Sequence, residues 1–268
     1  SLQSSYDHLP ASSSDPVNMA RDLKNKVVVI TGGAVGIGNE IADRYLQKCA
    51  KVTILLDIDE KQGTDTVKAL CTKYGNNRAV FIKCDVTKDL EAVSKKIIDN
   101  YKTVDVLINN AGILNEQSAK KTIDINVLAL IEWSLKFWEH MRTDKNGKGG
   151  TIINLASIYG FRVDQFLPIY QASKFAVMGF TKSLGHVYNY IRSGVRVLAI
   201  CPGFTDTKLT AASKVFDDQC MSKEAAIFLK KQLWQKVDAV GKTAVEIFEN
   251  ANSGTAWLIE GSKPIVEV

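Results

Sequence analysis

A tyrosine and a lysine stand four residues apart in the segment YQASK, at Tyr170 and Lys174. On a helix, residues i and i+4 lie one above the other on the same face. The spacing is typical of many ordinary surface helices, and it would also suit an acid–base pair. In such a pair the lysine cation would favour the phenolate over the neutral phenol, because an opposite charge stabilises an ionised neighbour. The five residues alone leave both interpretations open.

A second candidate for chemistry is the glycine-rich segment TGGAVGIG at residues 31–38, which directly follows the apolar run KVVVIT. Gly32, Gly36 and Gly38 have the spacing G-x-x-x-G-x-G. Glycine tolerates positive φ and lets backbone amides approach a pyrophosphate. A helix that begins near Ile37 would direct its N-terminal amides toward that charge. No G-K-[S/T] follows, which argues against a P-loop, and the segment therefore predicts a dinucleotide-binding turn.

Asp57 closes the second apolar run, KVTILLD, nineteen residues after Gly38. A carboxylate at this spacing can accept hydrogen bonds from the adenosine ribose hydroxyls and would repel a 2′-phosphate. Because Ile58 and the loop residues Ala34 and Val35 are not basic, the sequence favours NAD over NADP. The alternative is that Asp57 only caps a turn.

Seven apolar runs alternate with segments of helical periodicity. The runs are KVVVIT (26–31), KVTILLD (51–57), AVFIKCD (79–85), VDVLINN (104–110), GTIINLAS (150–157), GVRVLAICP (194–202) and the weaker GTAWLI (254–259). Continuous apolar runs are typical of strands buried on both faces. Their alternation with helices predicts a single α/β domain with a doubly wound, parallel, seven-stranded sheet, a Rossmann fold.

The composition is that of an ordinary globular protein. The chain has 268 residues, of which 46% are hydrophobic and 24% are charged, enough for one large α/β domain or two small ones. Residues 1–18 are rich in serine and lack the basic flank and apolar core of a signal peptide. We interpret them as a disordered leader of vector origin, in preference to a natural extension. The nucleotide-binding domain would then comprise residues 19–268.

Charge and cysteine content exclude several other classes of protein. The formal net charge of +5 is spread along the chain, which argues against a nucleic-acid partner. No apolar run approaches the roughly 18 residues needed to span a bilayer. An odd number of cysteines without C-x-x-C argues against a disulfide framework, and His140 and His186 lack metal-ligand spacing. We therefore expect no metal site and a reduced, cytoplasmic setting.

Three further stretches complete an ordered set of motifs. NNAG at 109–112 ends the fourth run, Ser157 ends the fifth run thirteen residues before Tyr170, and PGFTDT at 202–207 follows the sixth run. Together with the glycine-rich segment, the aspartate after the second run and YQASK, these motifs resemble the short-chain dehydrogenase/reductase family. The stretches ILNEQSAKKTIDINV and GVRVLAICPGFTDT are most similar to the branch of NAD-dependent 15-hydroxyprostaglandin dehydrogenases and insect-type alcohol dehydrogenases.

The resemblance covers about residues 21–260 and implies an oxidoreductase that interconverts a hydrophobic secondary or primary alcohol and its carbonyl with NAD. The implied catalytic residues are Asn126, Ser157, Tyr170 and Lys174. The implied cofactor contacts are Gly32, Gly36, Ile37, Gly38, Asp57, Ile58, Asp85, Val86, Asn109, Asn110, Ala111, Gly112, Tyr170, Lys174, Pro202, Gly203, Phe204, Thr205 and Thr207. The predicted substrate pocket contains Ser157, Phe161, Phe166, Leu167 and Tyr170, under a variable flap at about residues 204–240. A homodimer or homotetramer is also implied.

The implied roles agree with the chemistry of alcohol oxidation. A free tyrosine, with a pKa of about 10, is a poor base at neutral pH. Lys174 and a positive nicotinamide ring would both favour the phenolate of Tyr170, which could then take the hydroxyl proton. Ser157 would hold the substrate oxygen, Lys174 would also hydrogen-bond the nicotinamide ribose, and Asn126 would keep a relay water in line.

The chain departs from the prostaglandin dehydrogenases at Leu167, where those enzymes carry a glutamine that holds the substrate hydroxyl. This departure favours a less functionalised hydrophobic alcohol. Lys208 and Lys214 could attract a carboxylate at the pocket mouth, although solvated surface lysines are commoner. Two other functions stay open: an NADPH-dependent carbonyl reductase, and an NAD-binding regulatory or scaffold protein without turnover. The presence of both Tyr170 and Lys174 argues against the latter.

Overall fold

The computed structural model describes residues 21–211 and 214–268, so the predicted leader at residues 1–18 lies outside the described residues. The fold is a sheet in the order β3-β2-β1-β4-β5-β6-β7-β8. The strands are β1 (Val27–Thr31), β2 (Val52–Asp57), β3 (Ala79–Lys83), β4 (Val106–Asn109), β5 (Gly150–Leu155), β6 (Val195–Pro202), β7 (Ala256–Ile259) and β8 (Val266–Glu267).

The seven strands β1–β7 pair in parallel, which confirms the predicted doubly wound sheet. The two-residue β8 pairs antiparallel with β7 and was not predicted. Both of its residues are exposed, so β8 lacks the apolar run that identifies the other strands.

Helices connect the strands and cover both faces of the sheet. They are α1 (Gly36–Gln47), α2 (Glu60–Tyr74), α3 (Leu90–Tyr101), α4 (Ala119–Ile123), α5 (Leu130–Met141), α6 (Pro168–Leu184), α7 (Val187–Ser193), α8 (Lys208–Ala211), α9 (Asp218–Lys230) and α10 (Val237–Asn250). A π-helical turn, Asp124–Ala129, joins α4 to α5, and 3₁₀ turns lie at Thr143–Lys145 and Ile158–Gly160.

Two apolar cores lie on opposite faces of the sheet. Val28 and Ile30 of β1 pack into the core that contains α1, α2 and α10. Val27 and Val29 pack into the core that contains α3 and α5. Successive side chains of a strand point to opposite faces, so a strand buried on both faces must be apolar throughout. This requirement explains why the strands could be predicted from the apolar runs in the sequence.

No helix among residues 21–211 and 214–268 combines the length and the apolar character needed to cross a membrane.

Candidate active site

A cavity of about 880 Å³ opens at the carboxyl ends of the parallel strands. It lies beside β1, where the order of the strands changes direction. β2 and β3 lie on one side of β1, and β4 and the later strands lie on the other side. Residues that follow β1, β2, β4, β5 and β6 line the cavity, so parts of every predicted motif meet there. Open α/β sheets bind their ligands at this position.

Glycines shape the turn between β1 and α1. Gly36 has a φ of +59°, and the nearest atom to a Cβ built on it would be Thr207 Cγ2, 3.8 Å away. A side chain there would therefore enter the cavity. A Cβ on Gly38 would lie 2.4 Å from the Gly32 oxygen and 2.7 Å from Asn110 Nδ2, so Gly38 allows close packing behind the turn instead of lining the cavity. The turn leaves its backbone open to a phosphate group.

Two aspartates lie at the edge of the cavity: Asp57 is the last residue of β2, and Asp85 follows β3. The Asp57 carboxylate accepts hydrogen bonds from the backbone N–H groups of Ala34 and Asp59, each at 3.1 Å, and it lines the cavity. Asp57 thus stabilises the turn and faces the ligand space at the same time. Asp85 also lines the cavity, and a hydrogen bond from the Thr87 hydroxyl lowers the pKa of its carboxyl.

The two asparagines of NNAG point in different directions. Asn110 Nδ2 donates to the backbone oxygens of Thr31 (3.1 Å) and Gly32 (2.8 Å) at the cavity wall. Asn109 is the last residue of β4, and its Nδ2 donates to Asn154 Oδ1 inside the protein (2.9 Å). Asn109 therefore does not line the cavity, contrary to the prediction, because adjacent residues of an extended chain project to opposite sides.

Ser157, Tyr170 and Lys174 converge on one wall of the cavity. Tyr170 and Lys174 lie one turn apart on α6 and are 8% and 6% exposed. Lys174 Nζ donates to the backbone oxygen of Leu155 (2.8 Å) and lies 5.5 Å from the centre of the Tyr170 ring. Ser157 follows β5 and accepts a hydrogen bond from the Tyr159 backbone N–H (3.2 Å).

Burial dominates the acid–base properties of the pair. Burial raises the pKa of Tyr170 to about 12, although the Ser157 hydroxyl lowers it in part. Burial also lowers the pKa of Lys174 to about 8. Both shifts follow because a low-dielectric surrounding disfavours the charged form of each group. The protein groups alone therefore favour the neutral phenol, and positive charge near the ring would favour the phenolate.

Asn126 lies in the π-helical turn behind these residues and is 1% exposed. Its Oδ1 accepts from the Ile113 N–H, and its Nδ2 donates to the Ile113 oxygen, both at 2.8 Å. Nδ2 also donates to Ser173 Oγ (3.1 Å), which in turn donates to the Tyr170 backbone oxygen (2.7 Å). Asn126 does not line the cavity, and it links the segment after β4 to the helix that carries Tyr170.

A buried carboxylate that the sequence did not single out caps α6. Glu116 is 5% exposed, and its two oxygens accept from the backbone N–H groups of Ile169 (3.0 Å) and Tyr170 (2.7 Å). The first amides of a helix have no partner within the helix, and they carry partial positive charge. Glu116 thus fixes the start of α6 from a position 54 residues away in the sequence, where no local pattern signals it.

Seven apolar or aromatic side chains also line the cavity: Leu114, Ile158, Tyr159, Leu167, Phe204, Leu229 and Trp234. Two predicted pocket residues lie elsewhere. Phe161 packs against the core beneath α6, and Phe166 packs against Phe228 of α9, with ring centres 5.2 Å apart. The direction in which either ring points cannot be predicted from its short distance to a motif along the sequence. Leu167 lines the cavity as predicted.

Residues 202–207 close the cavity over β6. Pro202, Gly203, Phe204, Thr205 and Thr207 all contribute to the lining. Gln235 holds this segment in place, because its Nε2 donates to Thr205 Oγ1 (3.1 Å) and to the Ile259 oxygen (3.0 Å). Lys208 also lines the cavity and donates to Gln62 Oε1 (3.0 Å), whereas Lys214 is exposed and outside the lining.

Comparisons with known proteins find relatives over most of the chain. A family model described as short chain dehydrogenase matches residues 26–217. The chain is 38% identical to 15-hydroxyprostaglandin dehydrogenase [NAD(+)] of Macaca fascicularis over 189 residues, which is 70% of this chain and 71% of that protein. It is 33% identical to alcohol dehydrogenase 1 of Ceratitis cosyra over 241 residues, 88% of this chain and 92% of that protein. The crystal structure of levodione reductase shares the fold, with a TM-score of 0.77 at 24% identity over 90% of this chain and 98% of that one.

Proposed function

The chain belongs to the short chain dehydrogenase family, and from that membership we propose that it is an NAD-dependent alcohol dehydrogenase acting on hydrophobic secondary or primary alcohols. One observation carries the proposal. Ser157, Tyr170 and Lys174 line one wall of a cavity whose other parts are the glycine turn and Asp57.

The residues that line the cavity would suit a bound dinucleotide. The turn at Gly36 can accept the pyrophosphate, because no side chain stands between its backbone and the cavity. Asp57 and Asp85 would receive the adenosine end, and Ile58 and Val86 beside them are apolar surfaces for the base. Asn110, Ala111, Gly112 and residues 202–207 would receive the nicotinamide end, next to Tyr170. When bound, NAD supplies the acceptor for the hydride.

The chain's own residues would then manage the proton and the orientation of the alcohol. The Ser157 hydroxyl would hold the substrate oxygen, and Tyr170 Oη would take the hydroxyl proton as the C–H bond breaks. Lys174 would favour the phenolate by its charge, in opposition to the effect of burial on Tyr170. Asn126 enters this arrangement through Ser173, which binds the backbone of the tyrosine.

The α8–α9 region, within the predicted flap at about residues 204–240, would cover the substrate. Leu229 and Trp234 from this region reach the cavity lining, next to Phe204. The proposal includes a cytoplasmic location and a homodimer or homotetramer. The oligomer is supported by three exposed apolar side chains, Leu128, Leu135 and Phe175, on the π-helical turn, α5 and α6. The mass of the protein in solution would check the oligomeric part.

A screen of aliphatic, terpenoid, steroid and prostaglandin alcohols with NAD tests the proposed function through NADH absorbance. Turnover of at least one apolar alcohol is expected. Thermal stabilisation by NAD without NADH formation from any alcohol would instead indicate an NAD-binding protein without turnover. Equal or larger stabilisation by NADPH than by NADH would indicate a carbonyl reductase of the other cofactor class.

Replacing Asp57 by asparagine should raise the NADP/NAD ratio of kcat/KM about tenfold or more. The change removes a charge that would repel the 2′-phosphate, and such a repulsion is worth about 1 to 4 kcal/mol depending on screening. The amide oxygen can still accept from the Ala34 N–H, so the turn is retained. Asp59→Asn is the matched control, because Asp59 caps α2 and does not line the cavity. An unchanged ratio in Asp57→Asn would show that another residue sets cofactor choice.

The oxidation rate should rise with pH, whereas the reduction rate should not. Oxidation needs the Tyr170 phenolate, and a pKa raised to about 12 means that this form grows about tenfold per pH unit over the neutral range. Reduction needs the phenol, which predominates throughout that range. The rise should flatten above about pH 8, where Lys174 loses its charge. Values of kcat/KM from initial rates in both directions between pH 6 and 9 check this prediction. An oxidation kcat/KM that stays constant between pH 6 and 8 would contradict it.

A further inference from the structure

A row of aromatic rings runs along the substrate end of the cavity. The row begins beside Tyr170 and consists of Tyr159, Phe204 and Trp234. We call these three residues the aromatic row. The Tyr159 ring lies edge-on to Tyr170 (6.3 Å between centres, 84° between planes) and to Phe204 (6.0 Å, 85°). Phe204 and Trp234 are 5.5 Å apart. All four side chains line the cavity.

The row leads from the reacting hydroxyl toward solvent. Tyr170 and Tyr159 are 8% and 7% exposed, whereas Trp234 is 44% exposed. Because Tyr159 lines the cavity next to Tyr170, an alcohol whose oxygen is held by Ser157 and Tyr170 would place one substituent beside Tyr159. The faces and edges of aromatic rings interact best with other flat rings, and each such pair favours binding about two- to twelvefold beyond the effect of its buried area.

Tyr159 is fixed in place by polar groups outside the cavity. Its hydroxyl donates to Asp164 Oδ2, whose other oxygen accepts from the Phe166 N–H (2.8 Å) and from Gln171 Nε2 (2.8 Å). Gln171 also accepts from the Asp164 N–H (3.2 Å) and stands next to Tyr170 on α6. The ring thus presents a rigid apolar surface to the substrate, because its only polar atom is occupied by Asp164.

We propose that the aromatic row selects alcohols that carry a flat aromatic or conjugated group next to the carbinol carbon, and that Tyr159 is the main specificity-determining residue. Asp164 and Gln171 are positioning residues that hold the ring. The inference rests on the proposed alcohol dehydrogenase function and names the substrate class for the same site. It also gives a reason for Leu167, because a flat hydrocarbon needs no polar partner at that position.

The experiment compares 1-phenylethanol with 1-cyclohexylethanol as substrates with NAD. The two share the carbinol and have similar size, but one ring is flat and the other is puckered. In the wild-type protein we expect kcat/KM to favour the phenyl compound about tenfold or more. The benzylic C–H bond differs in intrinsic reactivity, so the decisive quantity is the change in this ratio on mutation, from which that difference cancels.

Tyr159→Leu should lower the phenyl/cyclohexyl ratio at least fivefold, mainly through the KM of the phenyl compound. Tyr159→Phe keeps the ring and should retain most of the preference. An unchanged ratio in Tyr159→Leu overturns the proposal, and so does an equal loss in both variants. If Tyr159→Leu does not fold, Tyr159→Met takes its place with the same two alcohols. The same fall in the ratio is expected, and an unchanged ratio overturns the proposal.

The outcomes separate this inference from the proposed function. Turnover of aliphatic alcohols with no preference for the phenyl compound would overturn the aromatic-row selection and leave the dehydrogenase assignment intact. Absence of turnover with 1-phenylethanol and with every alcohol in the broader screen would overturn both.

Discussion

Replacing Tyr170 by phenylalanine should lower kcat for alcohol oxidation about 10³-fold, because a positioned general base contributes about 10²- to 10⁴-fold to such reactions. The variant keeps the ring and its edge contact with Tyr159, so the shape of the cavity is preserved. We expect the Kd for NADH to stay within about twofold of the wild-type value. Turnover is measured by NADH absorbance, and cofactor affinity by NADH fluorescence.

Tyr188→Phe is the matched control for this prediction. Tyr188 is 59% exposed on α7 and does not line the cavity, so loss of its hydroxyl should leave turnover unchanged. Tyr170→Phe activity above one-tenth of the wild-type rate would contradict the assignment of Tyr170 as the base. A lower rate accompanied by equally weakened NADH binding would point instead to a distorted cavity.

The sequence predicted the sheet because each strand is buried on both faces and must be apolar throughout. It predicted the placement of the glycine turn, Asp57 and Ser157 because all three lie at or just after the carboxyl ends of strands, and these ends meet at one edge of the sheet. In each case the relevant signal is local: an apolar run, a glycine spacing or the residue after a run. Tertiary contact is not needed to recognise such signals.

Side-chain direction outside regular elements was predicted less well. Asn109 and Asn110 are adjacent and of the same type, yet one points to the interior and the other to the cavity. Phe161 follows a 3₁₀ turn, and its packing against a different core cannot be read from its distance to Ser157 along the chain. The cap formed by Glu116 joins segments that only the folded chain brings together.

Arg196 is another residue whose role depends on a distant element. It lies within the apolar strand β6 and is 1% exposed. Its guanidinium donates to the backbone oxygens of Phe248 (2.7 Å), Ala251 (2.7 Å) and Ile247 (3.3 Å) and to Thr151 Oγ1 (3.1 Å). Burial lowers the pKa of Arg196, yet a guanidinium keeps its charge over the ordinary pH range. The last carbonyls of α10, at the negative end of the helix dipole, therefore compensate a buried cation.

Arg196→Met should reduce the free energy of unfolding by about 1 to 3 kcal/mol. Replacing a buried ion pair by apolar residues can be neutral, because both charged partners are removed together. Here the acceptors are mainly backbone carbonyls, which remain buried after the mutation. The Ile247 oxygen keeps the Ala251 N–H (2.9 Å) and the Ala251 oxygen keeps Arg21 Nη1 (3.4 Å), so the Phe248 oxygen is the carbonyl that loses its donor. A buried acceptor left without a donor costs about 1 to 3 kcal/mol. Urea unfolding measures the effect, and Arg192→Met on the exposed surface of α7 is the control. A loss below about 1 kcal/mol would mean that water or a shifted α10 satisfies the carbonyl acceptor that lost its donor. The buried arginine would then not be needed to anchor β6, which ends at Pro202 in the cavity wall.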